Sequence, residues 1–433
     1  MQTFINNQIL SIKKNGLKVL PHKIYVLMTL ILLFIPVLIT LLIFRAISSI
    51  TLIRLVPLNL SRIGAFYPQY WYLRLKKAGV LNENNKIFYL FFINDKFKVN
   101  KTWMKLWKRS INIFPLSFFF KKVYSYNKFL FSDHKKFEAS NLQSLLHNFY
   151  LSKKNRLTEN FKKEDIIKIS EISSDYISFN QEEKKRGKKY LDKLGTSEFN
   201  YVCFHSRDKA FLNSYDKNFN WDYHSYRDSK ISKYLKAMEE LTKNNLSCLR
   251  MGAIVEEKLN SKNKKIIDYA NSEFQSDFLD IYLPSKCLFA VYSESGISAV
   301  PEAFNRPVVY VNWSSQAAIS SYNPNSIVVP KKFYSLKKKR NLTFKEIFNS
   351  ELGRPHSTAD FKKNDVIVIE NTPDEIYEVT LEMLKRINGN WKNTSEENII
   401  QEKFWKMFDY EFIKSPTFRV GSSFLKKNME LFN

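Results

Sequence analysis

The chain has 433 residues, 44% hydrophobic and 25% charged, which excludes a disordered protein and leaves room for an anchor segment and two ordinary domains. Its 68 basic and 42 acidic residues give a formal net charge of +26, a bias towards phosphates on nucleotides, lipids or nucleic acids. Cys203, Cys248 and Cys287 are too few for a disulfide scaffold and lack metal-ligand spacing, so they read as buried free thiols.

From the N-terminus, Ile24 to Phe44 carries no charge over 21 residues, matching the roughly 20 needed to cross a bilayer. Lys13, Lys14, Lys18 and Lys23 precede it, and Arg45, Arg54 and Arg62 follow, so loop charge does not orient it. The run is too long for a signal peptide and no small-residue cleavage site follows. Pro36 would kink a span, or break it into a re-entrant or interfacial hairpin. A membrane anchor over residues 1–49 is the expectation.

Ile50 to Leu58 reads as a strand, followed by the turn Asn59-Leu60-Ser61-Arg62-Ile63-Gly64, an aromatic helix to Lys77 and a second strand from Lys86 to Ile93. With a Trp- and Lys-rich helix from Lys101 to Ile111, this is the opening of a βαβ layer. Residues 112–150 look helical and apolar, and Leu157 to Lys193 suits surface helices and a linker. A first domain over 50–195 follows.

The pattern is clearer beyond Asn200. Strands are expected at Tyr201–His205, Leu246–Met251, Lys265–Tyr269, Cys287–Tyr292 and Pro307–Asn312. They alternate with helices at Ser229–Asn244, Ser276–Pro284 and Ile297–Phe304. Apolar, β-branched runs alternating with helices indicate α/β architecture with a parallel sheet covered on both faces. This second domain is set at 196–335. A helical extension over 336–433 has helices at Pro373–Ile387 and around Glu402–Phe412.

Chemistry concentrates at the strand ends between about Val202 and Val311. Ser293-Glu294-Ser295-Gly296 ends a strand and opens a helix, where unpaired N–H groups favour an anion. Gly296 admits a diphosphate to the backbone, Ser295 can cap the helix or bond a phosphate oxygen, and Glu302 is placed to take ribose hydroxyls. His205 and Arg207 end the first strand of the domain, where open sheets collect ligands; Arg207 offers a charged fork for a diphosphate. Arg250 and Gly252 end the next strand similarly. His224, Tyr226 and Arg227 share one loop suited to a sugar. Ser61, Arg62 and Gly64 read as an acceptor-side loop facing this domain across a cleft. Each also has a plain structural reading: an N-cap, a salt bridge, a strand-to-helix turn. No Asp-x-Asp, Walker A, Gly-x-Gly-x-x-Gly, His-Glu-x-x-His or Cys-x-x-Cys occurs.

The stretches Tyr201–Asp208, Tyr223–Tyr234, Leu249–Gly252, Ile267–Ala270, Ser276–Leu283 and Ser293–Asn312, with the tail Gly421-Ser422-Ser423-Phe424-Leu425, Asn428 and Leu431, resemble a family of bacterial glycosyltransferases of surface-polysaccharide synthesis. The His-x-Arg at 205 and 207 is also similar to a strand end of fucosyltransferases using GDP-fucose. The resemblance implies a GT-B-like fold of two facing Rossmann-type domains with parallel sheets, the nucleotide held by the second. It implies sugar transfer from a nucleoside-diphosphate donor, of GDP or UDP type, to a hydroxyl of a lipid-linked or cell-surface glycan. No cofactor or metal is expected, arginines and helix dipoles stabilising the departing diphosphate. Where the resemblance leads one to expect a histidine after the glycine of the first turn, Ala65 stands, leaving His205 and His224 as candidate bases. The expected partners are the nucleotide-sugar, the glycan acceptor and an anionic membrane surface, without nucleic acid. The expected location is the inner membrane, catalytic part in the cytoplasm. The alternatives are a sugar-nucleotide epimerase of the same fold and a non-catalytic basic membrane or nucleic-acid binding protein.

Overall fold

The computed structural model describes residues 20–58, 62–77, 87–93, 100–138, 177–215, 217, 219–319, 323–408 and 417–433. The chain divides into two compact units, the first made of 1–60, 82–96 and 111–143, the second of 61–81, 97–110 and 144–433. The segments 61–81 and 97–110, expected in the first domain, therefore cluster with the second, as does the expected C-terminal extension.

In the first unit, strands β1 (Leu52–Leu58) and β2 (Ile87–Ile93) pair in parallel, Leu52 opposite Ile87 through Leu58 opposite Ile93. Single bridges extend the pairing, Leu55 to Glu138 and Phe91 to Ile113. Two described strands make less than the full Rossmann-type layer expected here. The apolar run at 24–44 lies within one helix, Leu20–Ala46. Val37, Leu41 and Phe44, spaced by four and three, share one face and pack with Leu55, Leu90, Phe92, Val123 and Phe137. Arg45 at its end donates to Asn127 Oδ1 at 2.9 Å and pairs with Asp133 at 2.5 Å.

The expected membrane span is not supported by this arrangement. Among the described residues no helix is long and apolar enough to cross a membrane, and the last turns of the run serve as a core helix. Nor does Pro36 break the run into a hairpin, because the helix continues through it.

The second unit is built on β3 (Tyr201–His205), β4 (Ser247–Arg250), β5 (Ile266–Ile267), β6 (Phe289–Ser293), β7 (Val308–Trp313) and β8 (Ile327–Pro330), followed by β9 (Lys332–Ser335), β10 (Arg340–Asn341), β11 (Val366–Ile369) and β12 (Arg419–Val420). Seven strands form one sheet in the order β12-β8-β7-β6-β3-β4-β5, parallel throughout. Counted from β3, the six strands β3–β8 follow the 3-2-1-4-5-6 order of a doubly wound sheet, whose winding reverses between β3 and β6. β6 and β7 are buried at every residue, hence their unbroken apolar runs. The three cysteines are buried and free.

The antiparallel sheet β10-β9-β11 and the tail complete the unit. The Pro373–Ile387 helix forms where expected, capped by Thr372 and Glu375 in a reciprocal box. Ser422 donates from both its amide and its hydroxyl to Glu382, which seats the tail beside β12. The residues called an extension thus supply an edge strand of the main sheet.

Helix Gln181–Lys193, capped by Asn180, is fastened by Arg109, which grips Glu183 with two hydrogen bonds of 2.8 Å. Those bonds hold the Glu183 carboxyl at about 2. Its Gly187 faces the Tyr282 ring so closely that a Cβ would stand 2.0 Å from Cζ. The ring is fixed by a 2.6 Å hydrogen bond to Glu198. Gly187→Ala should destabilise the protein by about 1–3 kcal/mol through overpacking, read as a lower melting temperature. An unchanged melt would mean that the helix does not sit against Tyr282.

Candidate ligand-binding crevice

The winding reversal lies between β3 and β6, and the crevice at their carboxyl ends is the position where open α/β sheets bind ligands. The sequence places His205-Ser206-Arg207 on one side and Ser293-Glu294-Ser295-Gly296 on the other. The parallel register sets His205 beside Tyr292. The Arg207 amide donates to Ser293 Oγ at 2.7 Å, so Ser293, which is fully buried, ties the two strand ends together. Ser295 Oγ lies 3.2 Å from His205 Nδ1. Ser295 makes no cap to the helical turn it precedes.

The guanidinium groups are braced by carboxylates. Arg207 donates to the His224 carbonyl at 3.1 Å and pairs with Asp228. Asp208, its neighbour in sequence, instead accepts from the amides of Ala210 and Glu256. Arg227 donates to the Glu294 carbonyl at 3.0 Å and reaches its carboxylate at 3.4 Å. Glu294 also accepts from the Ser314 and Ser315 amides and the Ser315 hydroxyl, binding β6 to β7. Lys331, buried beneath this loop, donates to the carbonyls of Tyr226 and Asp228 at 2.9 and 2.7 Å; burial lowers its pKa to about 8.

Both histidines are held neutral. Burial, then the charges of Arg250 and Arg207, lowers His205 to about 3. Burial, then Arg227, Arg207 and Arg62, lowers His224 to about 4. The His224 ring lies 3.7 Å from that of Tyr223, and its Nδ1 is buried without a hydrogen-bond partner. Three arginines thus converge electrostatically on one imidazole.

The turn after β1 adds a further wall. Arg62 is exposed and its guanidinium lies 5.5 Å over the Trp221 ring. Gly64 packs on Gly296, where a Cβ on Gly64 would meet Gly296 Cα at 2.8 Å. The loop expected across a domain cleft is therefore part of the same unit and in backbone contact with the β6 turn; Ser61 lies outside the described residues.

Other expected ligand groups are engaged elsewhere. Arg250 is fully buried and bonds Asp268 Oδ1 at 3.0 Å and the Glu257 carbonyl at 2.9 Å. It braces the β4 end, where Gly252 is also buried. Glu302 is buried and accepts from the Tyr310 hydroxyl of β7 at 2.7 Å. The helix carrying it begins one turn after Gly296, which directs position 302 inward. Tyr226 is also buried, its hydroxyl donating to the Pro355 carbonyl at 3.0 Å.

Sequence reasoning passed over Glu294, although it lies inside the quoted turn and a carboxylate at a buried strand end was a usable signal. Lys331 gave none, because its partners lie about a hundred residues away in the chain. Among the described residues no three His, Cys, Asp or Glu side chains form a metal-ligand set.

Strand order defines an open α/β protein with Arg207 and Arg227 near its winding reversal. No family model matches the chain, and no curated protein matches it. Among solved structures the chain is similar to the glycosyl transferase family 9 protein of Veillonella parvula, at 12% identity over 65% of this chain and 86% of that one, TM-score 0.39. It is also similar to E. coli heptosyltransferase WaaC with ADP-2-deoxy-2-fluoro heptose, at 12% identity over 66% and 95%, TM-score 0.29. The same enzyme with ADP matches at 13% identity over 64% and 93%, TM-score 0.31.

A histidine depressed on folding binds its proton first in the unfolded chain. Between pH 6.5 and about 3 for His205, and between 6.5 and about 4 for His224, unfolding takes up protons. The stability is therefore present above pH 6.5 and lost as pH falls. Asp228, raised from 3.8 to about 6 mainly by burial, acts oppositely between those values. The melting temperature should fall on acidification from about pH 7 to pH 5, and His205→Asn should flatten that slope by up to about 1.4 kcal/mol per pH unit. A variant that tracks the wild-type slope would show that His205 is not held neutral.

Proposed function

We propose that the crevice between β3 and β6 binds the diphosphate of a nucleoside-diphosphate sugar. The chain then transfers the sugar to a hydroxyl of a glycan acceptor, lipid-linked or at the cell surface. The observation that carries this reading is the placing of Arg207, tied by its amide to Ser293, and of Arg227, held against Glu294, at the winding reversal. Arginine forks match phosphate oxygens, and a glycine at the strand end admits them to the backbone.

In the free protein Asp228 and Glu294 hold the two arginines in place. A bound diphosphate would share those guanidinium groups, and as the sugar bond breaks they would neutralise the charge gathering on the leaving group. Binding would also offset the arginine charges that add to burial in depressing His224. Its pKa would then rise towards the range of a working base only once donor is present. His205, bonded to Ser295, is better placed to orient that hydroxyl than to take a proton. Arg62 and the Trp221 ring beside it form a polar and aromatic margin suited to a sugar.

The test is a thermal-shift series on the full chain with UDP, GDP, dTDP, ADP and CMP. A nucleotide at about 100 times its Kd should add about 2.7 kcal/mol, visible as a higher melting temperature. Arg207→Ala and Arg227→Ala should each abolish the shift while still melting cooperatively, and the responding nucleotide names the donor base. Slow release of that nucleoside diphosphate from its sugar, with water replacing the acceptor, would separate a transferase from a binding protein. A folded wild type that responds to no nucleotide would overturn the reading.

A further inference from the structure

The helix Leu20–Ala46 has two apolar sides. At about 100° per residue, Val37, Leu41 and Phe44, which face the core, lie opposite Met28, Leu32, Ile35, Ile39 and Leu42. Those five are between 50% and 73% exposed, with Ile24 and Ile43 beside them at 51% each. The adjoining helix Ser117–Leu130 packs along this one, Phe34 meeting Tyr126 at 5.8 Å. It adds the exposed Phe118 and Phe129, with Leu116 just before it. Apolar surface on this scale marks an interaction site rather than ordinary exposure.

The sequence flanking this helix is basic. No Asp or Glu occurs before Glu83, whereas Lys13, Lys14, Lys18, Lys23, Arg45 and Arg54 do. The second helix contributes Lys121, Lys122 and Lys128, with Lys122 5.7 Å over the Phe118 ring. The carboxylates that follow are engaged, Asp133 by Arg45 and Glu138 by His134.

We propose that this face docks on an anionic lipid bilayer, lying in the interface with its apolar side chains among the acyl chains and its lysines at the headgroups. A basic border is what anionic headgroups select. A second copy of the chain would instead bring two basic borders together. The inference does not depend on what the β3–β6 crevice binds.

Vesicle flotation of the full chain tests it. The chain should float with phosphatidylcholine vesicles containing about a third phosphatidylglycerol, at least about tenfold more than with phosphatidylcholine alone. Leu32→Glu combined with Ile39→Glu should abolish flotation with the melting temperature unchanged, since both residues are exposed. Lys121→Glu with Lys122→Glu should remove the preference for the anionic lipid. Failure of the wild type to float, or equal flotation by the Leu32/Ile39 variant, would overturn the proposal. So would a dimer in solution that the same variant splits without any flotation of the wild type, which would give the face to a second copy.

Discussion

Arg207, just past the end of β3, carries its charge while nearly out of water, and the arrangement of the loop beside it follows from how that is done. Arg207 is held by Asp228 and by a carbonyl of the same loop. Arg227, on that loop, is held by Glu294 at the end of β6. Each pair links a strand end to the 221–230 segment, so moving the loop would part the buried Arg207 from its carboxylate. Lys331 fixes the same segment from below through two carbonyls. The 221–230 segment is thus fixed in the free protein, with Arg207 and Arg227 already in place.

The sheet was legible because its strands are buried on both faces. Tyr201–His205 was predicted to the residue, and the Cys287–Tyr292 and Pro307–Asn312 runs fall within one or two residues of β6 and β7. Continuous apolar runs ending in Ser, Gly or Arg are hard to mistake. Strand order was not legible in the same way, since it depends on pairings between residues far apart in the chain. At the site, residue type was readable and direction was not. Arg207 and Arg250 look alike in sequence, each ending a strand, but Arg250 finds Asp268 within its own layer and becomes a brace. Glu302, in the first turn of its helix, is buried and bonded to Tyr310. Glu294 was visible, but its value lies in three donors from the 314–315 turn, which a linear reading does not bring near it.

The first unit shows the limit of hydropathy as a guide. A run of 21 uncharged residues satisfies the length rule for a span, yet length and composition do not say which neighbours a helix has. Val37, Leu41 and Phe44 are spent on the core around β1 and β2. That leaves only one side of the helix for any other apolar contact. A segment apolar all round can be a core helix and an exposed surface at once, and only the structure divides its residues between the two.

The histidines carry the argument one step further. Arginines that would attract a diphosphate also keep His205 and His224 neutral in its absence, so cation and base are coupled through one field. An anion placed between Arg207 and Arg227 takes away part of the cause of the His224 depression, while the burial that contributes most remains. The proton affinity of that ring therefore depends on occupancy of the crevice. Linkage makes the dependence reciprocal: protonating His224 would add a third positive group and tighten anion binding. If the crevice takes a diphosphate donor as proposed, it would hold that donor more firmly when His224 carries a proton, and the ring would be free to act as a base only when it has lost it.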